Sequence, residues 1–188
     1  MSFLPQDYTP PKAVSGYMKL NPGPNRFRVV GSFGSKPPTG IMGWLAWKEK
    51  EDGGRQPIRF RMADCPPKGS FDEEPKHFWA FTVINLTMDN AFQILELVQK
   101  SILDELNALF AGDDWGNPSG EDGYDIEIFR IGEGKDTKYT TNPKPKAPMP
   151  EGMADLIRPV DLDKLFLGED PFEFELKSED DEEEGPGF

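Results

Sequence analysis

With 188 residues, 36% of them hydrophobic and including 14 Phe, 4 Trp and 4 Tyr, the chain can bury one good core but not two. Nineteen Pro and nineteen Gly exclude a simple helical bundle, and the single cysteine, Cys65, excludes an internal disulfide and suits a reducing, cytosolic setting. The net charge of −13 is unevenly spread: residues 161–188 hold twelve acidic and two basic residues (net −10), whereas 12–68 hold eleven basic and four acidic (net +7), an asymmetry that fits nucleic-acid traffic or, more plainly, solubility.

In chain order, residues 1–25 read as an extended, Pro-rich arm. MSFLPQDYTPPK has no basic n-region and no long apolar stretch, so no secretory signal is expected. Nowhere do eighteen apolar residues run together, so no membrane helix is expected either. NRFRVVGSF (25–33) alternates like a strand, IMGWLAWKEK (41–50) reads as a second, EDGG (51–54) as a turn, and PIRFRM (57–62) as a third. In that third strand Ile58, Phe60 and Met62 share one side, predicted to face the core, while Arg59 and Arg61 share the other, predicted to be exposed. KHFWAFTVINL (76–86) is a strong aromatic and β-branched strand.

Thr87 as N-cap, Asp89 in a first turn, and an apolar stripe of Ala91, Leu95, Val98, Ile102, Leu106 and Leu109 predict a helix over about 88–110, stopped by Gly112. YDIEIFRIG (124–132) and DTKYTTN (136–142) close the strand list, PKPKAPMP (143–150) breaks regular structure, and a short amphipathic segment precedes the terminal acidic run. The expected fold is mainly β: a five-stranded OB-type Greek-key barrel over 26–150 with its helix between the third and fourth strands. Residues 151–188 would be an amphipathic segment followed by a disordered acidic tail.

Enzyme constellations are thin. Structural zinc needs about four Cys or His ligands, and the chain has only Cys65 and His77. GEGKDT (132–137) lacks the spacing and the following helix of a phosphate loop. The best catalytic candidate is a Mg²⁺-dependent nuclease built on Asp125, Glu127, Glu133 and Lys135, since two carboxylates and a lysine can hold a metal and stabilise a phosphoryl transition state. Solvated carboxylates on an edge strand are the plain alternative. No metal and no cofactor is expected.

Aromatic and basic residues interleave more consistently. Lys48, Arg59, Arg61, Lys76, Lys135 and Lys138 are candidate phosphate contacts, and Trp44, Trp47, Trp79, Phe81 and Tyr139 are candidate stacking rings, the pairing by which single strands are held without sequence preference. Because rings on a strand alternate between faces, about half of them should be core, and the cations are the firmer part of the set.

The blocks FLPQDYTPP, YMKLNPGPNRFRVV, GWLAW, PIRFRM, KHFWAFTVIN, ILELVQKSI and DWGNP…YDIEIFRIGEGKDTKYTTNPKP, across about residues 3–146, resemble those of small bacteriophage single-stranded DNA-binding proteins. The resemblance implies an OB fold that serves DNA replication, recombination and repair in the cytoplasm of an infected bacterium, non-enzymatic, with a possible homo-oligomer. The tail Glu179, Asp180, Asp181, Glu182, Glu183, Glu184 and terminal Phe188 is similar to acidic C-termini that recruit polymerase, primase, helicase or nuclease, although Gly187 stands where such tails usually carry Pro. Zinc-containing phage relatives are not matched. A strand-annealing recombination protein would use the same groove, and an acidic nucleic-acid mimic would bind no DNA at all.

Overall fold

The computed structural model describes residues 15–31, 40–119 and 122–173. Eight strands form one mixed sheet: β1 (Tyr17–Met18), β2 (Gly23–Val29), β3 (Gly40–Glu49), β4 (Arg55–Arg61), β5 (Lys76–Asn85), β6 (Ala91–Leu97), β7 (Asp125–Ile131) and β8 (Lys138–Pro143). Helix α1 (Lys100–Ala111) separates β6 from β7, and a one-turn α2 (Lys164–Leu167) follows β8. The main strand order is β1-β6-β5-β2-β7-β8, with β3 pairing β5 beside β2 and carrying β4.

Every described strand contact is antiparallel except β1 with β6, where Tyr17 opposes Ile94 and Met18 opposes Leu95. The predominantly β character agrees with the expectation, but the sheet is open. Two short devices occupy the edges that closure would join. β1 lies along the outer edge of β6, and on β8 the Thr141 N–H donates to Glu105 Oε2 of α1 at 2.8 Å. Pro143 has no N–H to offer at all.

The sheet is buried on both faces around β5, whose last eight residues are all buried. On one face Phe27, Trp79, Phe81, Val83, Leu95, Leu97, Ile126 and Ile128 pack beneath Ile102, Leu103 and Leu106 of α1. On the other, Phe78, Ala80, Phe92 and Ile94 are covered by Val160, Leu162 and Leu165, with Phe166 and Phe172 alongside. The segment after 151, expected to be an appendage, therefore completes the core from Met153 onward. The arm is likewise part of the sheet from Tyr17.

The expected helix over 88–110 is replaced by a strand and a shorter helix. Ala91–Leu97 is β6, paired with β5 from Asn85↔Ala91 to Trp79↔Leu97. The reversal between them is a tight turn in which Asp89 (φ 47°) and Asn90 (φ 56°) both take left-handed backbone, closed by Ala91 N–H to the Met88 carbonyl at 3.0 Å. Two consecutive left-handed residues are what a hairpin of primed type needs, and Asp and Asn tolerate them. Phe92 and Ile94 point to one core and Leu95 and Leu97 to the other, so β6 has no polar face to reveal its period. Thr87 caps no helix; its Oγ1 accepts from the Arg26 N–H at 2.8 Å. Gly112 does follow α1.

Candidate nucleic-acid interface

The β3–β4 hairpin carries most of the residues singled out above. Its turn is set by Lys50 N–H to the Gly54 carbonyl at 2.7 Å, with Gly53 at φ 79°. Strand register then sorts the side chains: Trp44 opposes Phe60 and Lys48 opposes Gln56 on one face, whereas Gly43 opposes Arg61, Leu45 opposes Arg59 and Trp47 opposes Pro57 on the other.

The first face is partly open, with Ala46 buried at its centre. Trp44 and Phe60 are half-buried, Met42 and Met62 are 37% and 46% exposed, and Phe71 meets Phe60 edge-on at 5.9 Å. Trp44 is held in place by its Nε1–H, which donates to the Met62 carbonyl at 3.2 Å, and its ring lies 5.6 Å from that of His77. Lys48 at one end and Lys76 at the start of β5 are exposed and have no ion pair among the described residues.

The second face is covered. Arg59 is 12% exposed and grips Glu96 of β6 at 2.6 and 3.1 Å. Arg61 pairs with Asp163 at 3.0 Å and lies over the Phe166 ring at 4.7 Å. Trp47 packs on the second core and receives the Arg55 guanidinium at 5.5 Å, while Arg55 also reaches Glu73 at 2.7 Å. The expected alternation of PIRFRM is therefore present and its outcome is mixed: Arg61 is exposed as expected, its side chain 56% accessible beside Asp163, whereas Arg59 is held by Glu96 and Phe60, expected in the core, is only half-buried.

Two of the expected rings are core. Phe81 is 1% exposed and Trp79 8%; Trp79 stacks on Phe110 of α1 at 6.2 Å. Neither presents a face to a base. Trp79 Nε1–H donates to His77 Nε2 at 3.0 Å, which places the imidazole proton on Nδ1, where it donates to the Gly43 carbonyl at 2.9 Å. With both nitrogens engaged, His77 is a wall between strands, not a free base.

Lys135, Lys138 and Tyr139 lie apart from the hairpin. Lys135 sits in the 3₁₀ turn Gly134–Asp136 and Lys138 opens β8; both are exposed, and Tyr139 packs partly on the first core. In the strand order β2 and β7 stand between them and β5. The nuclease set is not assembled either. Asp125 is held by Arg26 at 2.6 Å and Arg28 at 2.7 Å, and Glu127 by Lys144 at 2.9 Å. Among the described residues no three His, Cys, Asp or Glu side chains gather as a metal site. Residues 179–184 and Phe188 lie outside the described residues.

Two tyrosines have altered acidity. Burial pushes the Tyr124 phenol up to about 12, and its O–H donates to the Gly116 carbonyl at 3.0 Å. Tyr17 is raised chiefly by burial, opposed by Arg59 and reinforced by Glu96 and Asp170.

Sequence reasoning missed Met42, Met62, Phe71 and Lys100 as neighbours of this surface. Met62 was legible, since it continues the row of Ile58 and Phe60. Comparison with protein-family models gave no match, and neither did comparison with curated proteins.

Proposed function

We propose that the chain binds single-stranded DNA without sequence preference, on the open face of the β3–β4 hairpin, as part of phage DNA replication, recombination and repair in the infected cell. The observation that carries the reading is the row of part-exposed rings and thioethers, Met42, Trp44, Phe60 and Met62, with Lys48 and Lys76, which have no ion pair among the described residues, beside it. Rings that offer a π-face and cations that follow phosphates are the two requirements of sequence-tolerant binding.

An OB relationship is supported by strand order. Leaving out β1 and the hairpin, β6-β5-β2-β7-β8 with the helix between β6 and β7 follows the order 3-2-1-4-5 of an OB Greek key. The β3–β4 hairpin is then an insertion between the first and second barrel strands, in the loop that OB proteins use for oligonucleotides. The outer face of the second and third strands, the usual remainder of such a site, is occupied here by residues 160–172, which directs the strand to the hairpin. The acidic run Glu179–Glu184 and Phe188 would recruit replication proteins and compete with DNA for the same cations.

The test is quenching of tryptophan fluorescence by poly(dT) at several salt concentrations. Wild-type protein should quench strongly and more weakly as salt rises. Trp44→Ala should lose most of the signal and affinity, whereas Trp79→Phe should bind as wild type. A chain ending at Leu176 should bind more tightly. Absence of quenching at low salt refutes the reading.

A further inference from the structure

A cavity of about 660 Å³ opens where the hairpin's ring row ends, at the junction of β5, β6 and α1. Its walls are Val98 and Leu103, its rim is Lys76, Gln99, Lys100 and Asp104, and His77 forms the side shared with the hairpin. The volume falls in the range of small-ligand sites, roughly 300–1,000 Å³. We propose that this cavity is a subsite for one unstacked nucleotide of the bound strand, its phosphate between Lys76 and Lys100 and its base against Val98 and Leu103. The proposal rests on the single-strand reading and deepens it by placing one end of the DNA track.

Continuity and charge both favour a nucleotide. The Trp44 ring lies 5.6 Å from that of His77, which also lines the cavity, so a strand stacked on Trp44 would meet the cavity next. His77 is fixed through both nitrogens, so this wall keeps its place. The rim carries two ammonium groups against one carboxylate, and Asp104 is already paired with Lys100 at 2.5 Å. A phosphate can take over that pairing, since both side chains are solvent-exposed. Gln99 is the one amide side chain on the rim, and its Oε1 already accepts from the Val98 N–H at 3.3 Å, which leaves too little to discriminate between bases, so thymine and adenine should be accepted alike.

The test uses the full chain with oligo(dT) carrying single 5-iododeoxyuridines, photo-crosslinked and mapped by mass spectrometry, together with titrations over salt. Wild-type protein should crosslink at Val98–Asp104 from one oligonucleotide position. Lys100→Glu should lower the salt slope by about 0.7, one single-strand phosphate. Gln99→Trp fills the cavity without changing charge and should weaken binding about fivefold or more, by excluding the base from Val98 and Leu103. Unaltered circular dichroism of each variant establishes that it is folded. Unchanged affinity, slope and crosslinking in these variants, while Lys48→Glu on the hairpin weakens binding, overturns the subsite and leaves the function standing. A wild-type protein that binds no oligonucleotide overturns both.

Discussion

Replacing Asp125 by Ala separates a structural role for this carboxylate from a catalytic one. Arg28 is 2% exposed on its side chain, and among the described residues its guanidinium has two partners: Asp125 Oδ1 at 2.7 Å and the Ala147 carbonyl at 3.0 and 3.1 Å. Among the described residues, Asp125→Ala leaves that buried cation with the carbonyl alone. Breaking one side of a buried pair costs about 3–5 kcal/mol. The Arg26 contact adds little, because Arg26 is 48% exposed on its side chain, and exposed pairs contribute roughly 0–1 kcal/mol. For a domain of this size, each kcal/mol corresponds to about 2–4 °C in Tm, so a fall of about 6–20 °C is expected. Urea denaturation followed by circular dichroism gives the free energy, and the double variant Arg28→Met/Asp125→Leu should recover most of it, since it removes both charges together. A loss under about 1 kcal/mol in Asp125→Ala would refute the buried-pair reasoning. Retained stability with loss of Mg²⁺-dependent cleavage would point back to the nuclease.

Other consequences follow from single positions. A Cβ on Gly43 would stand 2.2 Å from the Phe60 carbonyl oxygen and 3.1 Å from the Phe78 and Phe166 rings, so Gly43→Ala should force β3 and β4 apart, cost on the order of 1–3 kcal/mol and weaken DNA binding through Trp44, both measurable on one preparation. Asn90→Val places a β-branched residue at φ 56° and should cost about 1–2 kcal/mol in chemical denaturation, whereas Asn90→Gly should be neutral or stabilising. Tyr124 keeps its proton to about pH 12 when folded, against 10.0 unfolded; its contribution is therefore fully present below pH 10 and lost as pH rises from 10 to 12. Stability measured across that window should decline less steeply in Tyr124→Phe than in wild type.

Where one face of a strand is wet, the sequence was readable. β2, β3, β4, β7 and β8 fall within a few residues of the alternating runs that predict them, and the Gly-rich turn after β3 lies where EDGG places it. β6 failed for a physical reason. Phe92, Ile94, Leu95 and Leu97 enter two different cores, so a strand buried on both sides spelled out helical spacings by coincidence with the true helix that follows. The turn Asp89–Asn90 held the missing signal, since Asp-Asn before an apolar run admits paired left-handed backbone as readily as a helix start.

The site was legible in parity but not in sign. PIRFRM fixes that Phe60 and Met62 oppose Arg59 and Arg61; which side faces water depends on Asp163 and Phe166, a hundred residues later in the chain. That distant cover also decides which expected contacts remain available to a ligand. It gives Arg61 an exposed ion-pair partner, and leaves Trp44 and Phe60 half-buried and Lys48 exposed on the reverse face. Arg59, held by Glu96 on the same covered side, ties the hairpin back to β6. Arg59 thus ties the hairpin to the sheet, and in the proposed reading Lys48 of β3 and Lys76 of β5 would meet the strand. An Arg holds a carboxylate through a planar two-pronged fork, whereas a Lys is a mobile point charge that can follow a backbone of changing register. Fixed geometry at Arg59 and tolerant charge at Lys48 and Lys76 is the division of labour that the proposed sequence-independent binding would require.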